Sequence, residues 1–339
     1  MMHELQHIVT FYKKAKTKGE RCVLATVVAL EGSSYRKPGV RMLIHENGTM
    51  IGAVSGGCVE KEVQRQSLSV FNDDIPKLIT YDGRYRLGCE GILYILIEPF
   101  DVSNEFLSAF DEAINKRKAL HLHSFFEAKD GADVRYGTLV TFPGDAVFPF
   151  NQKLSRVSPA SLDVFVQTLK PSLKLLVIGA EHDAVQLCAM ASSCGWEITI
   201  VAPETDPKTL ENFPGAKAIV NTRPEIFDPA IIDNQTAVVL MTHSYSKDLQ
   251  YLLKLTNKKH RYLGILGPLR RREKLFNELT EHQPDIDLDF FESVHGPAGV
   301  NIGAETPQEI AVSIIAEILS VFREQKVIPL KNKKGRIHT

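Results

Sequence analysis

Cys58 is the residue of this chain best placed to do chemistry. It follows Ser55-Gly56-Gly57 and precedes Val59-Glu60, where a run to Ser69 reads as a helix. The thiolate is the nucleophile and the soft metal ligand, and a helix N-terminus favours it over the thiol. The paired glycines permit positive φ and let a ligand approach the main chain closely. Amides opening a helix lack partners within it and form an anion site. Ser55, Gly56, Gly57 and Cys58 are therefore candidate cofactor contacts, with Cys58 the candidate metal ligand. Glu60 either touches the ligand or a partner, or only places negative charge in the first turn. Upstream, the stretch Glu31-Gly32-Ser33-Ser34-Tyr35-Arg36-Lys37-Pro38-Gly39-Val40-Arg41 sets three cations among glycines and hydroxyls. Arg36, Lys37 and Arg41 suit phosphate oxygens, with Ser33 and Ser34 beside them. The plain alternative is a solvated run of charge. Together the two stretches describe a pocket for a phosphorylated ligand that also offers soft coordination.

Gly32-Ser33-Ser34 through Lys37-Pro38-Gly39, then Gly52 through Ser55-Gly56-Gly57-Cys58-Val59-Glu60, resembles the N-terminal signature of the XdhC/CoxI family. Members are maturation chaperones for molybdenum hydroxylases such as xanthine dehydrogenase. They bind molybdenum cofactor, support its sulfuration and deliver it to the apoenzyme. The resemblance implies an accessory protein rather than an enzyme, holding molybdopterin or a dinucleotide form transiently at the residues named above. It further implies a hydroxylase client, a cysteine desulfurase-type sulfurase and a homodimer. Cys89, in Leu87-Gly88-Cys89-Glu90-Gly91, matches a second family loop, with Glu90 where the family has glycine. It is either a second thiol at the ligand or a packed loop cysteine.

Composition excludes several other classes. With 40 basic and 41 acidic residues the net charge is −1, so no electrostatic case exists for nucleic acid or an anionic membrane. No apolar run approaches the ~20 residues of a membrane span, and the N-terminus lacks a signal-peptide pattern. The five cysteines are odd in number and scattered, which argues against a disulfide framework and for the cytoplasm. Cys22 and Cys188 read as core.

The 339 residues suffice for two domains. The fold class expected is α/β, a mixed α/β N-terminal domain followed by a Rossmann-like doubly wound parallel sheet. In the first half, Leu5, Ile8, Val9 and Tyr12 mark a helix, residues 21–30 a strand, and Asn47-Gly48 a hairpin turn. The expected boundaries are 1–145 for the cofactor-loop domain and 146–172 for a proline- and serine-bearing linker. Residues 173–325 form the Rossmann-like domain and 326–339 a basic tail. The final helix announces itself: Thr306-Pro307-Gln308-Glu309 is a capping box with proline in its first turn.

The second half departs from its family where a nucleotide would bind. Relatives carry Gly-Ala-Gly-His-Val-Gly after the first strand, but this chain has Gly179-Ala180-Glu181-His182-Asp183-Ala184. A carboxylate about 4 Å from a phosphate costs about 4 kcal/mol at an effective dielectric of 20. NAD is therefore not expected. His243, at the carboxyl end of a strand, faces the crevice where doubly wound sheets hold ligands and is a further candidate contact. Arg270-Arg271-Arg272 opens a helix, where cations oppose the dipole, so an acidic neighbour or a ligand phosphate must compensate them. The rival functions are a nicotinamide-dependent oxidoreductase using this half, and a cofactor-free scaffold that recruits a sulfurase.

Overall fold

Helix α1 (Met2–Thr17) turns Leu5, Ile8, Val9 and Tyr12 inward, all nearly inaccessible to solvent, as their helical spacing expects. A computed structural model describes residues 1–32, 37–57, 59–83, 91–154, 161–258 and 260–334. These fall into two units, residues 1–171 and 172–334.

In the first unit, β1 (Cys22–Gly32), β2 (Arg41–His45), β3 (Met50–Gly52), β4 (Lys77–Asp82), β5 (Gly91–Pro99) and β7 (Gly131–Ala132) make one sheet. Its order is β3-β2-β1-β5-β4-β7, with every pairing antiparallel. The β2–β3 hairpin turns at Asn47-Gly48, where Gly48 takes φ +87°. Strand β1 is buried on both faces, so it reads as continuous apolar sequence. Val23, Ala25 and Val27 pack with Val63 and Val70 of α2 (Glu60–Asp73), while Leu24 faces α1. Each such side chain contributes about 1.5–3 kcal/mol by burial. A second antiparallel sheet has the order β10-β6-β8-β9. It uses β6 (Leu120–Phe126), β8 (Gly137–Thr141), β9 (Val147–Pro149) and β10 (Asp163–Leu169). Helix α3 (Asn104–Asn115) adds Phe106 and Phe110 to the core it shares with α1.

The stretch 146–172 is not the linker expected. It supplies β9 and β10, and β10 pairs along its whole length with β6. Phe165, Gln167 and Leu169 turn inward, whereas Val164, Val166 and Thr168 are exposed, an alternation with period two. The prolines there mark strand ends rather than a tether: Pro149 closes β9, and Pro171 follows β10 at the unit boundary.

The second unit is a parallel sheet of β11 (Lys174–Ile178), β12 (Glu197–Ala202), β13 (Ala216–Asn221), β14 (Thr236–Leu240), β15 (Tyr262–Ile265) and β16 (Val294–His295). Its order is β13-β12-β11-β14-β15-β16. That is the doubly wound arrangement expected, with the order reversing between β11 and β14. Helices α4 (His182–Ser193) and α8 (Pro307–Arg323) cover one face; α5 (Tyr245–Leu255), α6 (Leu269–His282) and α7 (Leu288–Ser293) cover the other. The capping box of α8 forms as expected: the Glu309 amide donates to Thr306 Oγ1, and Glu309 Oε2 accepts from the Thr306 amide.

Candidate functional site

Strand register brings the unusual loops of the first unit to one end of its main sheet. Gly32 at the end of β1 pairs with Gly91 at the start of β5, and Ile92 with Asp82 at the end of β4. Further back along the sheet Met42, opposite Ala25 of β1, pairs with Gly52, where β3 ends and the cysteine-bearing turn begins. The strands that precede the connections 33–40, 53–59 and 83–90 therefore all run toward the same end of the sheet, β3 stopping at the level of Ala25 and β1 running on to Gly32. Ser33, Ser34, Arg36, Cys58 and Cys89 lie outside the described residues, so the placement concerns their flanks.

Glu60 organises the segment before α2. Its Oε1 accepts from the Ser55 amide at 2.8 Å, and its Oε2 from the Ser55 hydroxyl at 2.7 Å and the Val59 amide at 3.2 Å. Ser55 Oγ accepts in turn from the amides of Gly57 at 3.1 Å and Val59 at 3.2 Å. Burial works against the ionised carboxyl, but the hydrogen bonds from Ser55 and the backbone outweigh it and hold its pKa below the usual range. The amides of Ser55, Gly57 and Val59, expected to stand open to an anion, are thus engaged within the loop. Gly56 and Gly57 are exposed, and a Cβ on either would meet no atom of the described residues within 4 Å. Gly57 has φ +117°, a conformation that favours glycine.

The cations divide. Lys37 is exposed at the end of its loop. Arg41, expected beside it as a phosphate contact, is a β2 residue only 6% exposed. Met42 and Ile44 pack beneath α2 while Leu43 packs toward α1, so alternation turns Arg41 to the α1 face. Its Nη1 donates to Gly39 O at 2.9 Å and to Gln167 Oε1 at 2.7 Å. Burial lowers its pKa to about 10, against the opposing pull of Glu98 and Glu4. Glu98, fully buried, accepts from the Thr138 amide and hydroxyl; burial raises its pKa to about 7 despite those bonds and Arg41. Cys22 and Cys188 are buried as expected, and burial pushes their thiols up to about 12 and about 11.

In the second unit Gly179 ends β11 with φ +135°, and a Cβ there would strike the Met241 backbone. The glycine answers the close approach of β11 and β14. Glu181 is exposed as the residue before α4, and Asp183 lies in the first turn. His243, at φ +56° and about half exposed, sets its Nε2 at 3.8 Å from Asp183 Oδ2 across the point where strand order reverses. Glu204, at the end of β12, pairs with Arg223 at 3.2 Å. The compensation for the arginine run is an acidic neighbour in the case of Arg271, which bonds Asp248 Oδ2 at 2.6 Å. Asp248 is 1% exposed and also accepts from Thr242. Arg272 instead donates to Gly296 O and lies over Phe276.

Residues 15–82 match the profile of the XdhC and CoxI family, and residues 175–318 match the XdhC Rossmann domain. The chain is a member of the XdhC and CoxI family. A Bacillus subtilis relative, named as a probable subunit of xanthine dehydrogenase, is 29% identical over 91% of this chain and 96% of its own length. The Escherichia coli molybdenum cofactor insertion chaperone PaoD is 24% identical over 94% of this chain and 89% of its own length. A crystal structure described as a xanthine dehydrogenase from Bacillus halodurans superposes with a TM-score of 0.77 at 25% identity, covering 94% of this chain and 96% of that one.

Against an XdhC-type cofactor role, two observations bear on fit. Among the described residues nothing covers the Gly56-Gly57 backbone, which suits a broad ligand lying against it, and Lys37 is an exposed cation on the 33–40 connection. Among the described residues no cluster of three or more His, Cys, Asp or Glu could hold a metal, and no helix is long and apolar enough to cross a membrane. Sequence reading missed Gln167, Glu98 and Thr138, the polar interior around Arg41. Gln167 lay inside the supposed linker, and Glu98 ended an apolar strand, where a carboxylate was its own signal.

Proposed function

We propose that this chain receives molybdenum cofactor and hands it to a molybdenum hydroxylase of the xanthine dehydrogenase type. The observation that carries the reading is that the strands leading into three glycine-bearing connections all run toward one end of the first unit's sheet. The names of the XdhC-type relatives support it. In this reading Arg36 and Lys37 hold the phosphate, with Ser33 and Ser34 beside them. The ligand lies over Gly56-Gly57, and Cys58 supplies the sulfur that ligates molybdenum or joins in sulfuration. A cysteine desulfurase-type partner, a homodimer and a cytoplasmic setting belong to the same proposal. No turnover is needed, because shielding and transfer of a labile cofactor suffice.

Native mass spectrometry of protein from a molybdenum-replete host tests the reading, with molybdopterin mass expected on wild type. The Arg36→Ala/Lys37→Ala double variant should stay folded and lose at least tenfold in affinity, since charge-assisted contacts are worth roughly 1.5–3 kcal/mol each. Cys58→Ser should stay folded and lose cofactor, while Cys22→Ser should not. Loss in Cys89→Ser as well would favour a two-thiol site. Equal retention in Cys58→Ser and wild type would sink the role given to sulfur.

The Rossmann half is proposed not to take NAD, because Glu181 and Asp183 stand at the turn where the pyrophosphate would lie. Calorimetry at low salt decides this. A micromolar dissociation constant, about −8 kcal/mol, would overturn it and favour the oxidoreductase.

A further inference from the structure

The Ser55–Glu60 bonding does more than begin a helix. Val59, the residue before α2, makes no side-chain capping bond, so the helix start is served by Glu60 folding backward. A serine or aspartate at 59 would cap the helix with one hydrogen bond. Here a carboxylate on a residue 8% exposed bears a desolvation cost, and two of its three donors belong to Ser55, outside the helix altogether. Residues 55 and 60 are thereby closed on each other, and Ser55 Oγ ties in the amides of Gly57 and Val59 from inside the same ring. A Cβ on Gly56 or Gly57, between them, would meet no atom of the described residues within 4 Å.

We propose that Glu60 and Ser55 are positioning residues, which hold the main chain on either side of position 58, at Ser55, Gly57 and Val59, before any ligand arrives. The inference rests on the cofactor reading of that segment and adds a division of labour to it. With the amides of Ser55, Gly57 and Val59 engaged internally, these three donors are not what a ligand of the turn would meet. Recognition of an anionic group falls to the 33–37 loop.

Amide hydrogen exchange on the full chain, without cofactor, tests this. Ser55→Ala and Glu60→Gln should speed exchange at residues 57 and 59 at least tenfold, while amides of α2 beyond its first turn keep wild-type rates. Ser55→Thr, which retains the hydroxyl, should restore slow exchange. Acceleration confined to α2, or no acceleration at 57 and 59, would overturn the proposal and leave Glu60 as a helix-end charge. Cofactor retention in the same variants should follow the exchange: wild-type in Ser55→Thr, at least tenfold lower in Ser55→Ala. Faster exchange with unchanged retention would also overturn it. Wild type carrying no molybdopterin at all would instead count against the cofactor reading, which the exchange data do not require.

Discussion

Arg41 and Gln167, 126 positions apart, meet at 2.7 Å in the interior of the first unit. The bond joins β2 of one sheet to β10 of the other, and both side chains also reach Gly39 O. Gly39 has φ +96°, and a Cβ there would run into the Gln167 amide, so the end of the cationic loop is seated on this pair. Gln167→Ala removes a neutral partner from a buried charge and should cost about 2 kcal/mol in urea unfolding. Arg41→Ala leaves Gln167 Oε1 and Gly39 O without their buried charged donor and should cost about 2–3 kcal/mol. Stability equal to wild type in both would show that solvent replaces the contact freely.

Glu98 makes the first unit's stability depend on pH. Its folded pKa, about 7, lies above that of an unfolded glutamate, so its stabilising contribution is complete below about pH 4 and is lost as pH rises through 7. Between pH 5 and pH 8 the loss amounts to roughly 2–3 kcal/mol. Glu98→Gln lacks this titration, so its unfolding free energy should decline less over that interval by the same amount. Parallel profiles for the two proteins would mean that Glu98 is ionised throughout.

Packing against the Met241 backbone requires glycine at position 179. Gly179→Ala should destabilise the second unit by about 3 kcal/mol, combining a strained φ with overlap against the Met241 backbone. Differential scanning calorimetry of the full chain would read this as a lowered transition. A neutral outcome would require β11 and β14 to move apart at that point.

Thiol chemistry should sort the cysteines by burial. At pH 7.5 maleimide should modify exposed Cys194, while Cys22 and Cys188 stay unmodified until the protein is denatured, their thiols lying near 12 and 11. Peptide mass spectrometry gives the answer residue by residue. Labelling of Cys22 at the rate of Cys194 would contradict a closed α1–β1 core.

The sequence displayed what local chemistry dictates. The capping box before α8, the Asn47-Gly48 turn and the alternating strands and helices of the second half each follow from neighbours in the chain. Arg41 misled because its glycine- and serine-rich surroundings suggest a surface loop, whereas its strand position turns it inward. Its compensation comes from Gly39 O close by and from Gln167, which lies in another sheet. Ser55 and Glu60 were visible as candidates, yet their mutual bond depends on how the chain turns back between them. Strand β13 escaped because its burial is slight: Ala216–Asn221 has no fully buried residue.

The position of β10 at the end of its unit matters during synthesis. Strand β6, which holds Phe125 and Phe126, emerges long before the strand that will cover its edge. At roughly 5–20 residues per second, that edge waits for seconds on the ribosome as an open template for mispairing. A nascent chain stalled or cleaved after residue 145 keeps the edge bare indefinitely and leaves Arg41 without Gln167. One released at Pro171 carries every strand of the unit, so the divide between soluble and aggregating fragments should fall within β10.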